Sequence, residues 1–322
     1  MVMKKIVFND KISHSPILQE HINVLKKNDI EYIGADCDSV EDFLKYAKDA
    51  DIIFDQGQAK ITKRVIENLP KLKAILRRGI GYDNVDCKTA AKLGICVSNT
   101  PGFCADEVST HAIALLLSFI RNIPWYHNMV QHGEWNKLGQ GYENMGSLLG
   151  ENVSIIGFGN IGKIIAEKLN PFRAYIYVYD PHTKFDEKKY NVKKLSLNEI
   201  LKSCKYIILA CSLTEETIHM LDEEQFKLMR KDAVIINVGR GKLINEKILI
   251  KYLSDQNIAG AALDVFEEEP ISKDSPLLKF ENVIFSPHNA GISPKSLTLS
   301  YKMSFDEIIR IASGKEPKCR VN

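Results

Sequence analysis

Three short segments carry side chains suited to proton transfer and carbonyl chemistry. They are Ile236-Asn237-Val238-Gly239-Arg240-Gly241, Ala262-Leu263-Asp264-Val265-Phe266-Glu267-Glu268-Glu269-Pro270 and Phe285-Ser286-Pro287-His288-Asn289-Ala290-Gly291. Each follows or closes an apolar run that reads as a strand, and ligands bind at the carboxyl ends of strands in open α/β sheets. Arg240, flanked by glycines, offers a planar fork that can pair with a carboxylate and polarise a carbonyl. His288 can give and take a proton near neutral pH. Glu269 can orient an imidazole and stabilise its charged form. Singly, each residue also has a plainer reading: a structural histidine after proline, a surface turn, one acid in a solvated run. Joined to a dinucleotide site, they form the parts needed to move a hydride between a nicotinamide and a 2-hydroxy or 2-oxo acid.

A dinucleotide site is present in the pattern. Ser154-Ile155-Ile156-Gly157-Phe158-Gly159-Asn160-Ile161-Gly162-Lys163 reads as a buried strand, a G-x-G-x-x-G turn and a helix. Gly157 permits the tight turn, Gly159 lets a pyrophosphate approach the backbone, and Gly162 lets the helix pack close to the strand. The helix N-terminus offers N–H groups and partial positive charge to the phosphates. The next strand, Ala174 to Tyr179, ends in Asp180. A carboxylate there can accept from both ribose hydroxyls and repels a 2′-phosphate, which favours NAD over NADP.

The elements that must position these groups alternate between strand and helix. Strands are expected at Lys5–Phe8, Tyr32–Gly34, Asp51–Phe54, Ala74–Leu76 and Ile95–Val97, with helices at Pro16–Lys27, Val40–Lys48, Thr62–Asn68 and Asp86–Lys92. After Asp180 the alternation resumes, with strands at Lys205–Leu209, Ala233–Asn237, Ala259–Leu263 and Val283–Phe285. A final helix runs from Ser293 to Ala312 and stops at Gly314. Such alternation implies parallel sheets covered by helices. Asn99-Thr100-Pro101-Gly102 is a breaker, where a domain crossing is expected. Residues 122–149 read as a helix followed by a long polar excursion. The helix Ala105 to Arg121 is apolar nearly all round, which predicts burial against a second copy and hence a homodimer.

Arg77-Arg78-Gly79-Ile80-Gly81-Tyr82-Asp83-Asn84 follows a strand and reads equally as an anion-holding loop or a basic surface turn. The bulk numbers narrow the class. The chain has 322 residues, enough for two domains, with 45% apolar and 26% charged residues. A net charge of +2 with scattered charges gives no sign of a nucleic-acid or membrane surface. The longest apolar run is too short to span a bilayer. Seven cysteines show no metal or C-x-x-C spacing, so no metal is expected and a reducing cytoplasm fits. The N-terminus reads as a strand rather than a signal sequence.

These motifs, in this order and spacing over nearly the whole chain, resemble the D-isomer-specific 2-hydroxyacid dehydrogenase family. The resemblance rests on Arg77 to Asp86, Asn99–Gly102, the glycine loop ending in Tyr179-Asp180-Pro181, Asn237–Gly241, Gly260–Phe266, Glu269-Pro270 and Pro287-His288. It implies an α/β protein of two Rossmann-like, doubly wound parallel-sheet domains. The NAD domain (101–289) would be inserted into the substrate domain (1–100 plus 290–322), with the active site in the cleft between them. It implies Arg240, Glu269 and His288 as the catalytic set and Asp264 near the nicotinamide carboxamide. It extends the cofactor site over Gly157, Gly159, Asn160, Ile161, Gly162, Asp180, Cys211, Ser212, Val238, Gly239, Arg240 and His288. Arg77, Arg78 and Gly79 would hold the substrate carboxylate together with Arg240 and His288, the two arginines also tolerating a phosphorylated acid such as 3-phosphoglycerate. Ser212 stands where the family often has proline, a variant resembling the C-terminal-binding-protein corepressor branch, as does Lys318-Cys319-Arg320-Val321-Asn322. Gly291 replaces that branch's tryptophan. No serine-binding regulatory module is expected after Asn322. The expected reaction is reversible hydride transfer between NAD(H) and a small 2-oxo or 2-hydroxy acid; phosphoglycerate oxidation or an NAD(H)-sensing corepressor are the alternatives.

Overall fold

Apolar runs with strand and helix periods alternate along the chain. The structure, a computed structural model describing residues 5–57, 59–135 and 145–322, folds them into two units. One unit is Met1–Phe103 with Ser293–Asn322, and the other is Cys104–Ile292, so the second is inserted into the first. The exchanges at Phe103/Cys104 and Ile292/Ser293 lie close to the expected domain limits after residues 100 and 289.

The first unit is built on β1 (Lys5–Asn9), α1 (Pro16–Lys27), β2 (Ile30–Gly34), α2 (Val40–Tyr46), β3 (Ile52–Asp55), α3 (Lys63–Glu67), β4 (Ala74–Arg77), α4 (Cys87–Lys92) and β5 (Cys96–Ser98). Its five strands are all parallel in the order β2-β1-β3-β4-β5. Both faces of the sheet are covered, so the strands are apolar at successive positions rather than alternating with polar ones. Phe8, Ile53 and Ile75 point to one core with Phe43 and Val65, whereas Val7, Ile52, Phe54 and Leu76 point to the other. The second core is closed by α1 and by the C-terminal helix Pro294–Ala312, which presents Tyr301, Phe305 and Ile308 at helical spacing. That helix starts as its sequence dictates: Ser293 and Ser296 form a capping box, and Pro294 occupies the first turn.

The second unit contains α5 (Ala105–Ile120), α6 (Ile123–Gln131), β6 (Asn152–Ile156), α7 (Asn160–Leu169), β7 (Tyr175–Tyr179), α8 (Glu187–Tyr190), β8 (Lys193–Lys194), α9 (Leu197–Ser203), β9 (Tyr206–Leu209), α10 (Glu223–Phe226), β10 (Val234–Asn237), α11 (Glu246–Ser254), β11 (Gly260–Leu263) and β12 (Val283–Phe285). The C-terminal helix of the first unit is α12. The seven strands are parallel in the order β12-β11-β10-β9-β6-β7-β8. Chain direction across the sheet reverses between β6 and β9, which makes their carboxyl ends a topological switch point. The glycine turn lies there.

Two features differ from the sequence reading. Lys193-Lys194 forms an edge strand against Tyr177 and Val178, and Glu187–Tyr190 forms a helical turn capped by Asp186. Both are too short and polar to carry an apolar period. On α5, Ala112, Ile113, Leu115 and Leu116 are buried, with the helix packed on α6, α7, β10 and β11, whereas Ala114 is exposed and Leu117 and Phe119 are half-buried. Of the expected excursion after α6, residues 136–144 lie outside the described residues. Among the described residues, no helix is long and apolar enough to cross a membrane, and no group of three or more metal-ligating side chains forms.

Candidate active site

The glycine turn has the stereochemistry its sequence demands. Gly157 has φ +94°, and a Cβ there would sit 2.6 Å from the Cys211 backbone. A Cβ on Gly162 would stand 2.1 Å from the Gly157 carbonyl oxygen, so α7 can pack against the turn only with glycine there. Gly159 faces open space, with nothing within 4 Å of its ideal Cβ position. The first helical bond runs from Lys163 N–H to the Gly159 carbonyl. The amides of Asn160, Ile161 and Gly162 thus precede the ladder and are available to an anion. This open cradle fits a dinucleotide pyrophosphate.

Asp180, at the end of β7, is 8% exposed. One carboxylate oxygen accepts from Phe158 N–H at 2.7 Å, and the other from Thr183 N–H at 2.7 Å and His182 N–H at 3.0 Å. Burial pushes its carboxyl up, but these amide bonds outweigh burial and hold it below the ordinary carboxylate value. The residue expected to read the ribose therefore also ties the glycine turn to β7. Cys211 and Ser212 follow β9, with the Cys211 backbone against Gly157. Burial pushes the Cys211 thiol up to about 12, which makes it a packing group rather than a nucleophile.

After β10, Val238 is buried and Gly239 packs closely on the Cys211 carbonyl and Leu243. Asn237 organises the turn: its Nδ2 donates to the Arg240 carbonyl at 2.8 Å, and its Oδ1 accepts from Gly239 N–H at 3.0 Å. Gly241 lies so close to the Phe266 backbone that any Cβ would collide with it. Arg240 is thus presented from a turn locked onto the segment that carries Glu269.

The structure brings His288 and Glu269 together. The imidazole Nδ1 stands 2.6 Å from a Glu269 carboxylate oxygen, and the other oxygen accepts from Phe266 N–H at 3.0 Å. Burial raises the Glu269 carboxyl, but the His288 hydrogen bond, the Phe266 amide and the charges of His288 and Arg240 together hold it below its ordinary value. The side chains remain accessible, at 47% for His288 and 34% for Glu269. His288 adopts φ +51°, a left-handed conformation uncommon outside glycine, so its surroundings must hold it there.

Asp264 supplies part of that hold. It is 1% exposed. Its carboxylate accepts from Ser286 Oγ at 2.6 Å, Asn289 N–H at 3.1 Å and Ala290 N–H at 3.0 Å, while its carbonyl accepts from His288 N–H at 2.7 Å. The group is enclosed by the turn that presents His288 and offers no open face.

In the first unit, Arg77 is bonded within its own turn. Its guanidinium is enclosed by the carbonyls of Gly81, Asp55 and Arg78 and lies 3.6 Å from the Asp55 carboxylate. Gly57 and Gly79 pack against it so closely that a Cβ on Gly57 would fall 2.7 Å from Nη2. Arg77 therefore braces the turn. Arg78 lies over the Tyr301 ring at 4.7 Å with Nη1 3.4 Å from Ser300 Oγ, and burial pushes its guanidinium down from its ordinary value. The amides of Arg78 and Gly79 already donate to the Asp55 carbonyl and Thr100 Oγ1. Among the described residues, the next two amides, Ile80 and Gly81, have no acceptor, while their carbonyls are fixed by Asn99 and Arg77. The sequence signal for them was the pair of glycines around Ile80.

The model of the D-isomer specific 2-hydroxyacid dehydrogenase NAD-binding domain matches residues 113–290. A glyoxylate reductase from Korarchaeum cryptofilum is 36% identical over 281 residues, covering 87% of this chain and 85% of that protein. A D-3-phosphoglycerate dehydrogenase from Methanocaldococcus jannaschii is 36% identical over 285 residues, covering 88% of this chain and 53% of that protein. The crystal structure of an NADPH-dependent glyoxylate/hydroxypyruvate reductase from Sinorhizobium meliloti, in complex with NADP and malonate, matches with a TM-score of 0.85. Its identity is 27%, over 99% of this chain and 97% of that one. With the parallel two-unit fold, the glycine cradle and the His288–Glu269 pair in place, the chain belongs to the D-isomer-specific 2-hydroxyacid dehydrogenases, NAD-dependent oxidoreductases acting on CH–OH groups.

Proposed function

We propose that this chain reduces a small 2-oxo acid reversibly to its D-2-hydroxy acid, with NAD(H) held by the second unit. The observation that carries the reading is the 2.6 Å contact between His288 Nδ1 and Glu269. It fixes the imidazole so that Nε2 is the nitrogen left to serve the substrate. When bound, the nicotinamide supplies or accepts the hydride. His288 Nε2 gives its proton to the carbonyl oxygen on reduction and takes it back on oxidation, and Glu269 stabilises the imidazolium between turnovers. Arg240 binds the carboxylate and polarises the carbonyl, and its charge also helps keep Glu269 ionised. Asp180 favours NAD by accepting from the ribose and repelling a 2′-phosphate.

The enclosure of Arg77 supports an acid without a second strong charge, such as glyoxylate or hydroxypyruvate, because that arginine is not free to meet a phosphate. The amides of Ile80 and Gly81 are the donors we assign to the substrate carboxylate in the first unit. A homodimer in a reducing cytoplasm completes the proposal. Ile123, Val130, Trp135 and Leu149 are exposed apolar residues around α6 and the return to β6, a surface suited to a second copy. All seven cysteines are free thiols. NADH oxidation with glyoxylate, pyruvate, hydroxypyruvate and phosphohydroxypyruvate tests the reading. Turnover strongest with glyoxylate or hydroxypyruvate is expected; strongest turnover with the phosphorylated acid, or none with any, overturns it. Light scattering of the purified chain tests the dimer, and a monomer mass removes it.

A further inference from the structure

The turn that presents His288 is held by Asp264, and Asp264 is in turn held by a group that the proposed reaction does not use. His111 projects from α5, and its Nε2 lies 2.8 Å from Ser286 Oγ and 3.5 Å from a carboxylate oxygen of Asp264. Ser286 Oγ donates its one hydrogen to that carboxylate at 2.6 Å. A hydroxyl has a single hydrogen, so toward His111 the Ser286 oxygen can only accept, and the bonded imidazole nitrogen must carry the proton. The direction of the chain is therefore set: His111 Nε2–H to Ser286 Oγ, Ser286 O–H to Asp264. The other donors to Asp264 are the amides of Asn289 and Ala290, immediately after His288, and the Asp264 carbonyl takes the amide of His288 itself.

We propose that His111 is a positioning residue for His288, acting through Ser286 and Asp264. The proposal rests on His288 being the proton donor but concerns a different residue on a different element. α5 is the rigid partner in this arrangement, buried along α7, β10 and β11. His111 transmits that rigidity to a turn whose central residue is in a left-handed conformation at φ +51°. Without the donor from His111, Ser286 is free to turn its hydroxyl away. Asp264 then loses one of its side-chain partners, and the direction of the imidazole loosens. Proton transfer at Nε2 depends on that direction far more than cofactor binding at the glycine turn does.

The experiment compares His111→Leu with His111→Gln, which can place an amide N–H near the original Nε2–H. Steady-state NADH oxidation, NADH binding by fluorescence and amide hydrogen exchange are measured on the full chain. Expected for His111→Leu is a loss in kcat on the order of tenfold to hundredfold, with NADH affinity and substrate KM changed far less. Faster exchange should be confined to the amides of residues 288–290. His111→Gln should recover most of both. Unchanged kcat in an active preparation, unchanged exchange at 288–290, exchange raised throughout the second unit, or a glutamine variant no better than leucine would each overturn the proposal. If the wild-type chain turns over none of the 2-oxo acids, the functional reading fails and the exchange comparison alone decides the role of His111.

Discussion

His288 and Glu269 meet at 2.6 Å, and the glutamate is anchored on its far side by the Phe266 amide at 3.0 Å. One carboxylate oxygen is therefore fixed to the backbone that follows β11, while the other addresses the imidazole. Both side chains remain partly open to solvent. That combination suits a proton relay that must exchange with a substrate.

Glu269→Gln keeps the size of the side chain and removes its charge. The imidazole then loses the charge that orients it, so kcat for reduction should fall by about tenfold or more while NADH affinity is kept. Steady-state rates and NADH binding check this. Unchanged kcat would detach Glu269 from the proton step.

Gly162→Ala and Gly159→Ala should fail differently. A methyl at 162 would stand 2.1 Å from the Gly157 carbonyl oxygen, which forces α7 off the turn at a cost of about 1–3 kcal/mol. Melting temperature and NADH affinity should both fall. A methyl at 159 meets nothing within 4 Å, so the fold should be unaffected, but it would occupy the space through which a pyrophosphate approaches. Gly159→Ala should melt like the wild type and bind NADH weakly; full affinity would place the phosphates elsewhere.

Asp180→Asn should raise the NADPH-to-NADH ratio of kcat/KM by about tenfold or more, since a negative group facing the 2′-phosphate is removed. The same substitution tests a pH dependence. The folded carboxyl lies below its ordinary value of 3.8, so its stabilising contribution is complete above that value and is lost as pH falls through the folded one. The advantage of wild type over Asp180→Asn in thermal melts should therefore be steady at neutral pH and shrink in strong acid. A gap that widens in acid would contradict the sign.

Arg77→Met should act on stability first. Its guanidinium bonds the Gly81, Asp55 and Arg78 carbonyls, and removing it leaves the Gly81 and Arg78 carbonyls without that donor, at about 1–3 kcal/mol in total. A variant that melts normally and loses only substrate affinity would assign Arg77 to substrate binding.

The α/β order was readable because each strand is a short apolar run and each long helix carries its own stop signals. Pro16–Lys27 and Val283–Phe285 fall where the patterns put them. The glycine turn was readable because φ +94° at Gly157 and the contact at Gly162 admit no other residue. What could not be read was whether a charged side chain faces inward or outward. Arg77 and Arg78 are adjacent in β4 and the turn after it, yet one braces the Gly57–Asp55 side and the other lies over Tyr301. The hydrogen bonds of Asp264 gave no sequence signal, because the amides that bind it come from a segment more than twenty residues later. His111 gave no signal at all, being one polar residue in an apolar helix whose partner, Ser286, is distant in sequence.

The most direct test is the steady-state comparison of wild type and His288→Ala with the best 2-oxo acid, alongside NADH binding to each. Loss of the general acid should lower kcat by about a hundredfold or more while NADH affinity stays close to that of the wild type. A variant that retains wild-type turnover would contradict the assignment of His288 as the proton donor.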